Sequence, residues 1–572
     1  MMGLLRRSPR ADDAPGGRAS KPPKAPKAKK LKAPRVVRDG PSRRETRERL
    51  RAAALQDFVL PQYRSESKLR TRIILIAVMV PIFIVWGYMF GLFAPQRIVQ
   101  LGMPILLLIA LNVWALPELG SAPKTAISRL FFIYFLAIPL WPNYLAIALP
   151  GLPWITVMRL TGFPLVFVFL YAISTSKSFR EEAMTYLRGT PFLWKAVAAF
   201  AAIQVLSIAL SNQPQTSIDK LLATSISWTA IFFISAFVFV KPGRVERWAT
   251  LLIAAAVGLS LLAMREFRLQ HVLWADHIPS FLAVEDASAK GAMAVHMRAG
   301  TDRYRTIATF STSLGFAEFL ALSTPFALHF AFGAKYKVIT RILAAGSIPL
   351  ILTAILLTDS RLGFVGFLIA IVMYGFLRGA LEWRQHRASL WGPAIVLSYP
   401  AVFVMFVVAV FSVQRLRVMT LGGGKHEASS LARVEQVRRG IPLILKHPFG
   451  FGIGRGADAL DYRNAGGYMT IDTYWLLVAL DYGVLGFLVF YGTILTATAY
   501  GFFGIVQGTR EREQNMLIPL TICFVAYFII KSIYAGVENQ SIVFMMLGAA
   551  CALVYRQRRD NGTLPQAVKT AH

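Results

Sequence analysis

Arginines recur in the polar stretches that interrupt this otherwise apolar chain. Arg361 lies in TDSRLGF, a short turn between two apolar runs, and Arg433 stands near the start of the amphipathic stretch ARVEQVRRGIPLILK. The planar guanidinium of arginine donates two parallel hydrogen bonds to phosphate oxygens and stays charged at physiological pH. Arginines that converge at a membrane edge would therefore bind a diphosphate and stabilise charge on a departing phosphate. For Arg361, capping of the preceding helix with pairing to Asp359 is the alternative.

A carboxylate follows in TIDTYWLLVALDYGVLG, where a polar segment meets an apolar run. Asp472 is placed either to cap the helix that begins there or to accept a proton from an attacking hydroxyl. Asp481 comes nine residues later. We expect Asp481 to face away from Asp472 and to have a structural role.

Between these stretches lies HPFGFGIGRG, residues 447–456, in which every second residue from 450 to 456 is glycine. The spacing is not that of a dinucleotide-binding fingerprint, and no strand precedes it. The glycines either let backbone amides approach an anion closely or permit a tight turn. Arg455 in this run, and Arg305 earlier in the chain, are further candidates for diphosphate binding.

The stretch 430–446 has helical periodicity and is predicted to lie along the outer membrane surface. Its apolar face carries Leu431, Val434, Val437, Ile441 and Leu445. Its arginines, Arg433, Arg438 and Arg439, are predicted to lie on the flanks of that face.

The sequence lacks the motifs of metal and nucleotide sites. No D-x-D motif occurs in the predicted external loops, no His/Asp/Glu cluster has metal-ligand spacing, and no phosphate-binding loop of the Walker type is present. The two cysteines, Cys523 and Cys551, lie in apolar runs, so the loops hold no disulfides. We expect catalysis without a metal, a cofactor or ATP.

Composition defines the class of protein. Hydrophobic residues make up 55% of the 572 residues, and apolar runs near the length of a membrane span recur along the chain. The formal net charge of +32 is concentrated at the N-terminus, where residues 1–70 hold 20 Lys/Arg and 7 Asp/Glu. Charge in this tail and in short loops indicates membrane topology and contact with anionic lipids rather than nucleic-acid binding.

The predicted fold is all-α and polytopic, with about fourteen spans and both termini cytoplasmic. The predicted spans are 72–94, 98–116, 130–149, 155–174, 192–210, 221–240, 248–264, 310–332, 342–357, 362–377, 393–411, 484–506, 516–534 and 541–555. The predicted regions are a disordered basic cytoplasmic tail (1–70), an N-terminal transmembrane bundle (71–264), a periplasmic loop (265–309), central transmembrane helices (310–411), a large periplasmic catalytic loop (412–483), C-terminal transmembrane helices (484–555) and a cytoplasmic tail (556–572).

The ordered set of motifs resembles the O-antigen ligase and O-antigen polymerase superfamily of bacterial membrane glycosyltransferases. The resemblance runs over about residues 300–490 and rests on RYRTIATFSTSLGFAEFLAL, the SR turn, the external helix, HPFGFGIG and DTYWLLVALDYGVLG. It implies a GT-C-like fold, a periplasmic site, undecaprenyl-diphosphate-linked sugar donors and no metal. It also implies diphosphate binding by Arg361, Arg433 and Arg305.

The resemblance also bears on the reaction type. Asp472 falls where the ligases carry the histidine of an H-N-x-Y-L motif, and the letters here are D-T-Y-W-L. This departure favours the polymerase branch, which joins repeat units of a surface or secreted polysaccharide. The alternatives are a ligase that transfers finished glycan to a lipid or protein, and a flippase or exporter of the same lipid-linked glycan.

The resulting prediction is a metal-independent polysaccharide polymerase of the bacterial inner membrane with a periplasmic site. Arg361, Arg433 and Asp472 are its predicted catalytic residues, and Arg305 and Arg455 complete the diphosphate-binding set. The predicted partners are an undecaprenyl-diphosphate-linked oligosaccharide and anionic lipids at the tail. A flippase and a chain-length regulator are further candidates.

Overall fold

A computed structural model describes most of the chain from residue 121 onward. The described residues are 121–147, 155–279, 281–284, 303–386, 388–414, 417, 427–463, 467, 469–508 and 511–564, with positions 77, 81, 84 and 85. The predicted tail 1–70, the predicted span 98–116 and most of the predicted span 72–94 lie outside them.

Helices form nearly all of the described structure. They are α1 (Lys124–Leu140), α2 (Val157–Thr175), α3 (Lys177–Leu187), α4 (Pro191–Ser207), α5 (Pro214–Thr224), α6 (Ile231–Phe239), α7 (Arg244–Leu269), α8 (Ser313–Phe332), α9 (Val338–Leu357), α10 (Arg361–Gln385), α11 (Trp391–Ser412), α12 (Glu427–Lys446), α13 (Gly456–Leu460), α14 (Tyr474–Gln507), α15 (Leu517–Lys531) and α16 (Gln540–Asp560). A π-helical turn at Ser225–Ala230 joins α5 to α6, and short 3₁₀ turns lie at Ile208–Leu210, Ala275–His277 and Glu513–Met516.

Ten helical segments among the described residues are long and apolar enough to cross a membrane, so the chain is an all-α polytopic membrane protein. The two largest differences from the predicted spans are in α1 and α14. Helix α1 ends at Leu140, whereas the prediction continued to 149. Helix α14 begins at Tyr474, ten residues before the predicted span and inside the predicted loop 412–483.

A small antiparallel sheet, which the sequence did not predict, follows α1. Its strands are β1 (Leu145–Ile147), β2 (Ile155–Thr156) and β3 (Leu282–Val284), in the order β2-β1-β3. Ala146 pairs with Thr156 on one side and with Ala283 on the other. The sheet joins the segment after α1 to the segment after α7.

Helix α8 is the central helix of the described bundle, because nearly every residue along it is buried. Its first turn is capped by Thr312, whose hydroxyl accepts a hydrogen bond from the Gly315 amide at 3.0 Å. The first turn of α10 is capped by Ser360 in the same way, through the Gly363 amide. No side chain fits between these two helices at Gly363, where a Cβ would lie 2.7 Å from that of Ala317.

The helix ends fall into two groups. We call the end of the bundle that carries the described residues of 270–312 and 413–473 the loop side. At the opposite end, the Glu513 carboxylate accepts hydrogen bonds from the first amides of α7, at 2.7 Å from Gly243 and 2.8 Å from Val245. The Arg556 guanidinium lies 2.6 Å from the same carboxylate, and both side chains are buried. This ion pair ties α16 to α7.

Helix α14 is kinked at Gly483, where φ is 72° and ψ is −174°. The kink turns the Val484 amide away from Leu480 O, its helical acceptor. The amide donates instead to Pro448 O at 2.9 Å. The carbonyl of Leu480 that this frees accepts from the Phe451 amide at 2.8 Å. The glycine-rich run therefore completes the backbone hydrogen bonding of the broken helix and is fixed to it.

We predict that Gly483→Ala destabilises the protein, whereas Gly492→Ala on the same helix does not. A Cβ at Gly483 would lie 2.2 Å from Pro448 O on a left-handed backbone, at a cost of about 1–3 kcal/mol. At Gly492 nothing lies within 4 Å, and alanine favours a helix by up to about 1 kcal/mol. The measurement is the midpoint of thermal unfolding of each purified variant. Equal midpoints would contradict the account of the kink.

Candidate active site

Helix α12 presents its apolar face away from the protein. The exposed apolar side chains along it are Leu431, Val434, Ile441 and Leu445. The opposite side packs on α14: a Cβ at Gly440 would lie 2.5 Å from Leu476 Cδ1, and Gln436 is fully buried. An exposed apolar strip on a helix that rests on a membrane protein is typical of contact with the interface of a bilayer.

Arg433 lies on the protein-facing side of α12, one turn before Gln436. This differs from the flanking position that periodicity predicted. Of the other two arginines, Arg438 is exposed, and Arg439 pairs with Glu435 at 2.7 Å. The Nε atom of Arg433 is buried and has no hydrogen-bond partner among the described residues. An unsatisfied buried guanidinium nitrogen is costly, which indicates a place for an anionic ligand.

Gln436 holds Asp472 beside this arginine. Its Oε1 accepts a hydrogen bond from the Asp472 amide at 2.8 Å, and its Nε2 donates to Thr470 O at 3.5 Å. Burial raises the pKa of the Asp472 carboxyl above its ordinary value, and the nearby Arg433 charge acts in the opposite direction. The structure therefore brings together two predicted site residues that are 39 positions apart in the sequence.

Asp472 does not cap the following helix. The N-cap residue of α14 is Thr473, and its side chain makes no capping hydrogen bond. Its Oγ1 is buried with no partner in the described structure. The Asp472 carboxylate is therefore not used to begin the helix, and the Thr473 hydroxyl and the first amides of α14 lie next to it in the chain.

A second group of arginines meets at the turn between α9 and α10. Arg305 Nε donates to Thr358 O at 3.0 Å, and Arg303 Nη1 lies 3.6 Å from Asp359 Oδ1. Arg361 is the first residue of α10. The segment that begins at Arg303 thus lies across this turn and brings Arg305 and Arg361, two predicted diphosphate-binding residues, to one place.

Glu266, near the end of α7, positions that segment. Its carboxylate, which is 1% exposed, accepts hydrogen bonds from the amides of Ile307 and Ala308, both at 2.9 Å. It also accepts from the Tyr304 hydroxyl at 3.0 Å. Ala308 has a positive φ of 49°, a conformation that needs such support in a residue other than glycine. Glu266 therefore fixes the backbone next to Arg305.

Arg455 has partners within the protein. Its side chain is buried, with Nε donating to Asn212 Oδ1 at 3.0 Å, Nη1 donating to Gln213 Oε1 at 2.8 Å, and an ion pair to Asp458. These contacts fix the glycine-rich run to the connection between α4 and α5. The structure does not place Arg455 in the Arg433–Asp472 pair or in the turn at Arg361.

The glycine-rich run does approach an anion, and that anion is Asp481. Its Oδ1 accepts a hydrogen bond from the Gly456 amide at 2.6 Å. Asp481 is 6% exposed. Both interpretations of the glycines hold in part, because the run turns tightly and one of its amides binds a carboxylate of the chain itself.

The two arginine groups flank the loop-side end of α15. Leu362, next to Arg361, packs in one cluster with Ile530 and Tyr534. The ring of Tyr474, two residues after Asp472, has its centroid 5.4 Å from Lys531 Nζ. No group of three or more His, Cys, Asp or Glu side chains that could hold a metal ion occurs in the part of the chain that the structure describes.

Three residues of the site were not found from the sequence. Arg303, Gln436 and Glu266 each act through a contact with a segment distant in the chain. For Glu266 a signal existed, since it is a carboxylate near the end of an apolar span, and such residues are functional candidates. Arg303 is one of several cations in the predicted external loop 265–309, which does not single it out, and Gln436 carried no signal.

Comparison with known families agrees with the resemblance given by the motifs. Residues 346–491 match the family model for O-antigen ligase. They include the turn at Arg361, helix α12, the glycine-rich run and the first part of α14. This match supports the O-antigen ligase and polymerase superfamily, and with it a membrane glycosyltransferase of that type. A search of curated proteins finds no match.

We predict that Glu266→Ala frees the segment 303–308 without unfolding α7. Loss of the charged acceptor should speed amide exchange at Ile307 and Ala308 by roughly tenfold or more, because hydrogen bonds to charged groups contribute about 1.5–3 kcal/mol. The measurement is hydrogen–deuterium exchange on the purified protein. Glu246→Ala, at the other end of the same helix, is the control and should leave this segment unchanged. Equal exchange in both variants would contradict the role of Glu266.

Proposed function

We propose that this chain is a polysaccharide polymerase of the bacterial inner membrane. It would join repeat units carried on undecaprenyl diphosphate, with the loop side in the periplasm. The observation that supports this most is the half-buried Arg433 side chain on the protein-facing side of α12, whose Nε atom is buried near Asp472 with no partner among the described residues. A diphosphate is an anion that satisfies such a donor.

The arginines bind the donor in this proposal. Arg433 holds the diphosphate from the side of α12, while Arg361 and Arg305 approach it from the turn between α9 and α10. Arg303, at the same turn, adds a further positive charge. Arg455 is assigned a structural role, because its donors are used within the protein. Fixed guanidinium groups need no reorganisation when charge develops on the leaving diphosphate, which is how such groups accelerate a reaction.

Asp472 serves as the general base. The acceptor hydroxyl of a second lipid-linked unit attacks the anomeric carbon of the donor, and its proton passes to the Asp472 carboxylate. The bond between the anomeric carbon and the diphosphate oxygen breaks, and its electron pair leaves with the lipid diphosphate. A raised pKa makes this carboxylate a stronger base than an exposed aspartate. The sugar arrives activated, so the reaction requires no nucleotide.

A ligase is the second candidate, because the matching family model carries that description. It would use the same donor and the same arginines, with a lipid or a protein as acceptor. The residue at position 472 is aspartate in place of the histidine of the ligases, which favours the polymerase.

We predict that Arg433→Ala and Arg433→Lys both impair polymer formation while Arg438→Ala does not. Lysine is a point charge that cannot reproduce the two-pronged hydrogen bonding of a guanidinium, so it should not rescue. Arg438 lies on the same helix but is exposed, which makes it the matched control. The measurement is polymer yield and length at equal membrane levels of each variant. Unchanged polymer in Arg433→Ala would show that the proposed diphosphate contact is wrong.

We predict that the transfer rate falls on acidification because Asp472 acts deprotonated. Burial raises the pKa of Asp472. As the pH falls, activity should therefore be lost at a higher pH than it would be with an exposed aspartate as the base. Asp472→Glu should keep the loss of activity at low pH. Asp472→Asn should abolish this pH dependence and lower the rate by about 10²–10⁴-fold. An unchanged profile and rate in Asp472→Asn would exclude the base.

We predict that a deletion strain accumulates single lipid-linked repeat units. A polymerase is needed to extend these units, so its loss leaves them unjoined on the carrier. A ligase mutant would instead retain long chains on the carrier lipid. Sizing of the lipid-linked glycans extracted from the strain distinguishes the two candidates.

A further inference from the structure

Lys531, the last residue of α15, is a cation with no exposed surface. Its Nζ lies 2.8 Å from Glu318 Oε1 of α8, and both side chains are fully buried. It also donates to the carbonyl of Gly536 in the loop after α15. A buried pair of this kind is costly to desolvate, so its presence needs a reason beyond stability.

Three tyrosine rings surround this ammonium group. The ring centroids of Tyr534, Tyr527 and Tyr474 lie 5.0, 5.2 and 5.4 Å from Lys531 Nζ. Each ring directs its electron-rich face toward a cation, which stabilises the charge where water is excluded. We call Lys531, Glu318 and these three tyrosines the lysine cage.

Polar contacts extend the lysine cage to neighbouring helices. The Gln540 side chain at the start of α16 donates to the Tyr474 hydroxyl at 3.0 Å and accepts from that of Tyr527. Asn539 donates to Glu318 Oε2 at 3.0 Å and to Gly315 O at 2.8 Å. The cage thus connects the loop-side ends of α8, α14, α15 and α16.

The lysine cage lies between the two arginine groups. On one side Tyr474 begins α14 directly after Asp472 and Thr473. On the other side Tyr534 packs with Leu362, the residue after Arg361. Helix α10 is in close contact with both supporting helices at Gly366, where a Cβ would lie 2.8 Å from that of Ala321 and 3.1 Å from Ile530 Cδ1. Lys531 is therefore surrounded by residues that adjoin both segments.

We propose that Lys531 is a positioning residue that sets the spacing between the Arg433–Asp472 pair and the turn that carries Arg305 and Arg361. The ammonium is attracted at once by the carboxylate of α8 and by aromatic faces of α14 and α15, so these three helices are held at fixed separations. A diphosphate that is bound from both sides requires this spacing. The catalytic consequence rests on the proposed function, whereas the spacing itself does not.

The test measures the spacing directly. Nitroxide labels are attached to cysteines introduced at Leu356 of α9 and Val434 of α12, two exposed positions outside the binding groups. The native Cys523 and Cys551 are buried, so they do not compete for the label. Double electron–electron resonance in lipid nanodiscs then gives the distance distribution between the two labels.

With the native cage we expect one narrow distribution, and in Lys531→Met we expect it to broaden or shift. The double variant Glu318→Gln/Lys531→Met removes both charges of the ion pair at nearly constant volume, so Glu318 is not left as an unpaired carboxylate. If the single variant does not fold, the double variant tests the proposal in its place. Lys337→Met, an exposed lysine at the opposite end of the bundle, is the control and should leave the distribution unchanged. A native distribution in both cage variants would overturn the proposal.

The same variants are assayed for transfer from a defined lipid-linked oligosaccharide. If the spacing between the two arginine groups changes, kcat should fall by about a hundredfold, since a misplacement of binding groups by about 1 Å has that effect. If the double variant regains the thermal stability of the native protein but not its rate, the cage positions the site. If stability and rate return together with a native distance, the cage only stabilises the fold and the proposal is wrong. Absence of transfer by the native protein would contradict the proposed function and leave the distance result valid.

Discussion

The structure depends on a half-buried guanidinium near a half-buried carboxylate at the loop side of the bundle. Arg433 faces inward from α12, and Gln436 holds the backbone of Asp472 next to it. The pair is incomplete, because Arg433 Nε and Thr473 Oγ1 are buried without partners among the described residues. Polar atoms in that condition cost free energy unless a ligand satisfies them. This cost connects the local geometry to the proposed binding of a diphosphate.

The supporting structure keeps this arrangement rigid through carboxylates that accept backbone amides. Glu266 fixes the segment before α8, and Asp481 fixes the glycine-rich run. Two amides and a tyrosine hydroxyl donate to Glu266, and the Gly456 amide donates to Asp481, so each charge orders an irregular segment. Arg455, in the same run, also attaches it to the connection between α4 and α5, where its Nε donates to Asn212 Oδ1. The loops that carry the arginines are thus attached to the spans at defined points.

The sequence predicted an all-α polytopic membrane protein, because apolar runs of this length have few alternative structures. It also identified the helix 430–446 by periodicity, yet it could not give the direction of Arg433. On α12 one apolar strip faces away from the protein, as on a helix at a membrane interface, while Arg433 lies on the side that packs on α14. The kink at Gly483 was equally hidden, because its sequence context does not distinguish it from Gly492, which lies in regular helix. Contacts such as Glu266 with Ala308 join segments distant in the chain and leave no local pattern.

Polymerisation with release of lipid diphosphate can be measured directly with the purified protein in nanodiscs and a defined oligosaccharide on undecaprenyl diphosphate. Products are sized by mass spectrometry, and released lipid diphosphate is quantified in the same reaction. We expect a ladder of glycans at multiples of the repeat unit, with one lipid diphosphate released for each new glycosidic bond. Intact protein that leaves the substrate unchanged, or that forms bonds without releasing the lipid diphosphate, would contradict the proposed function.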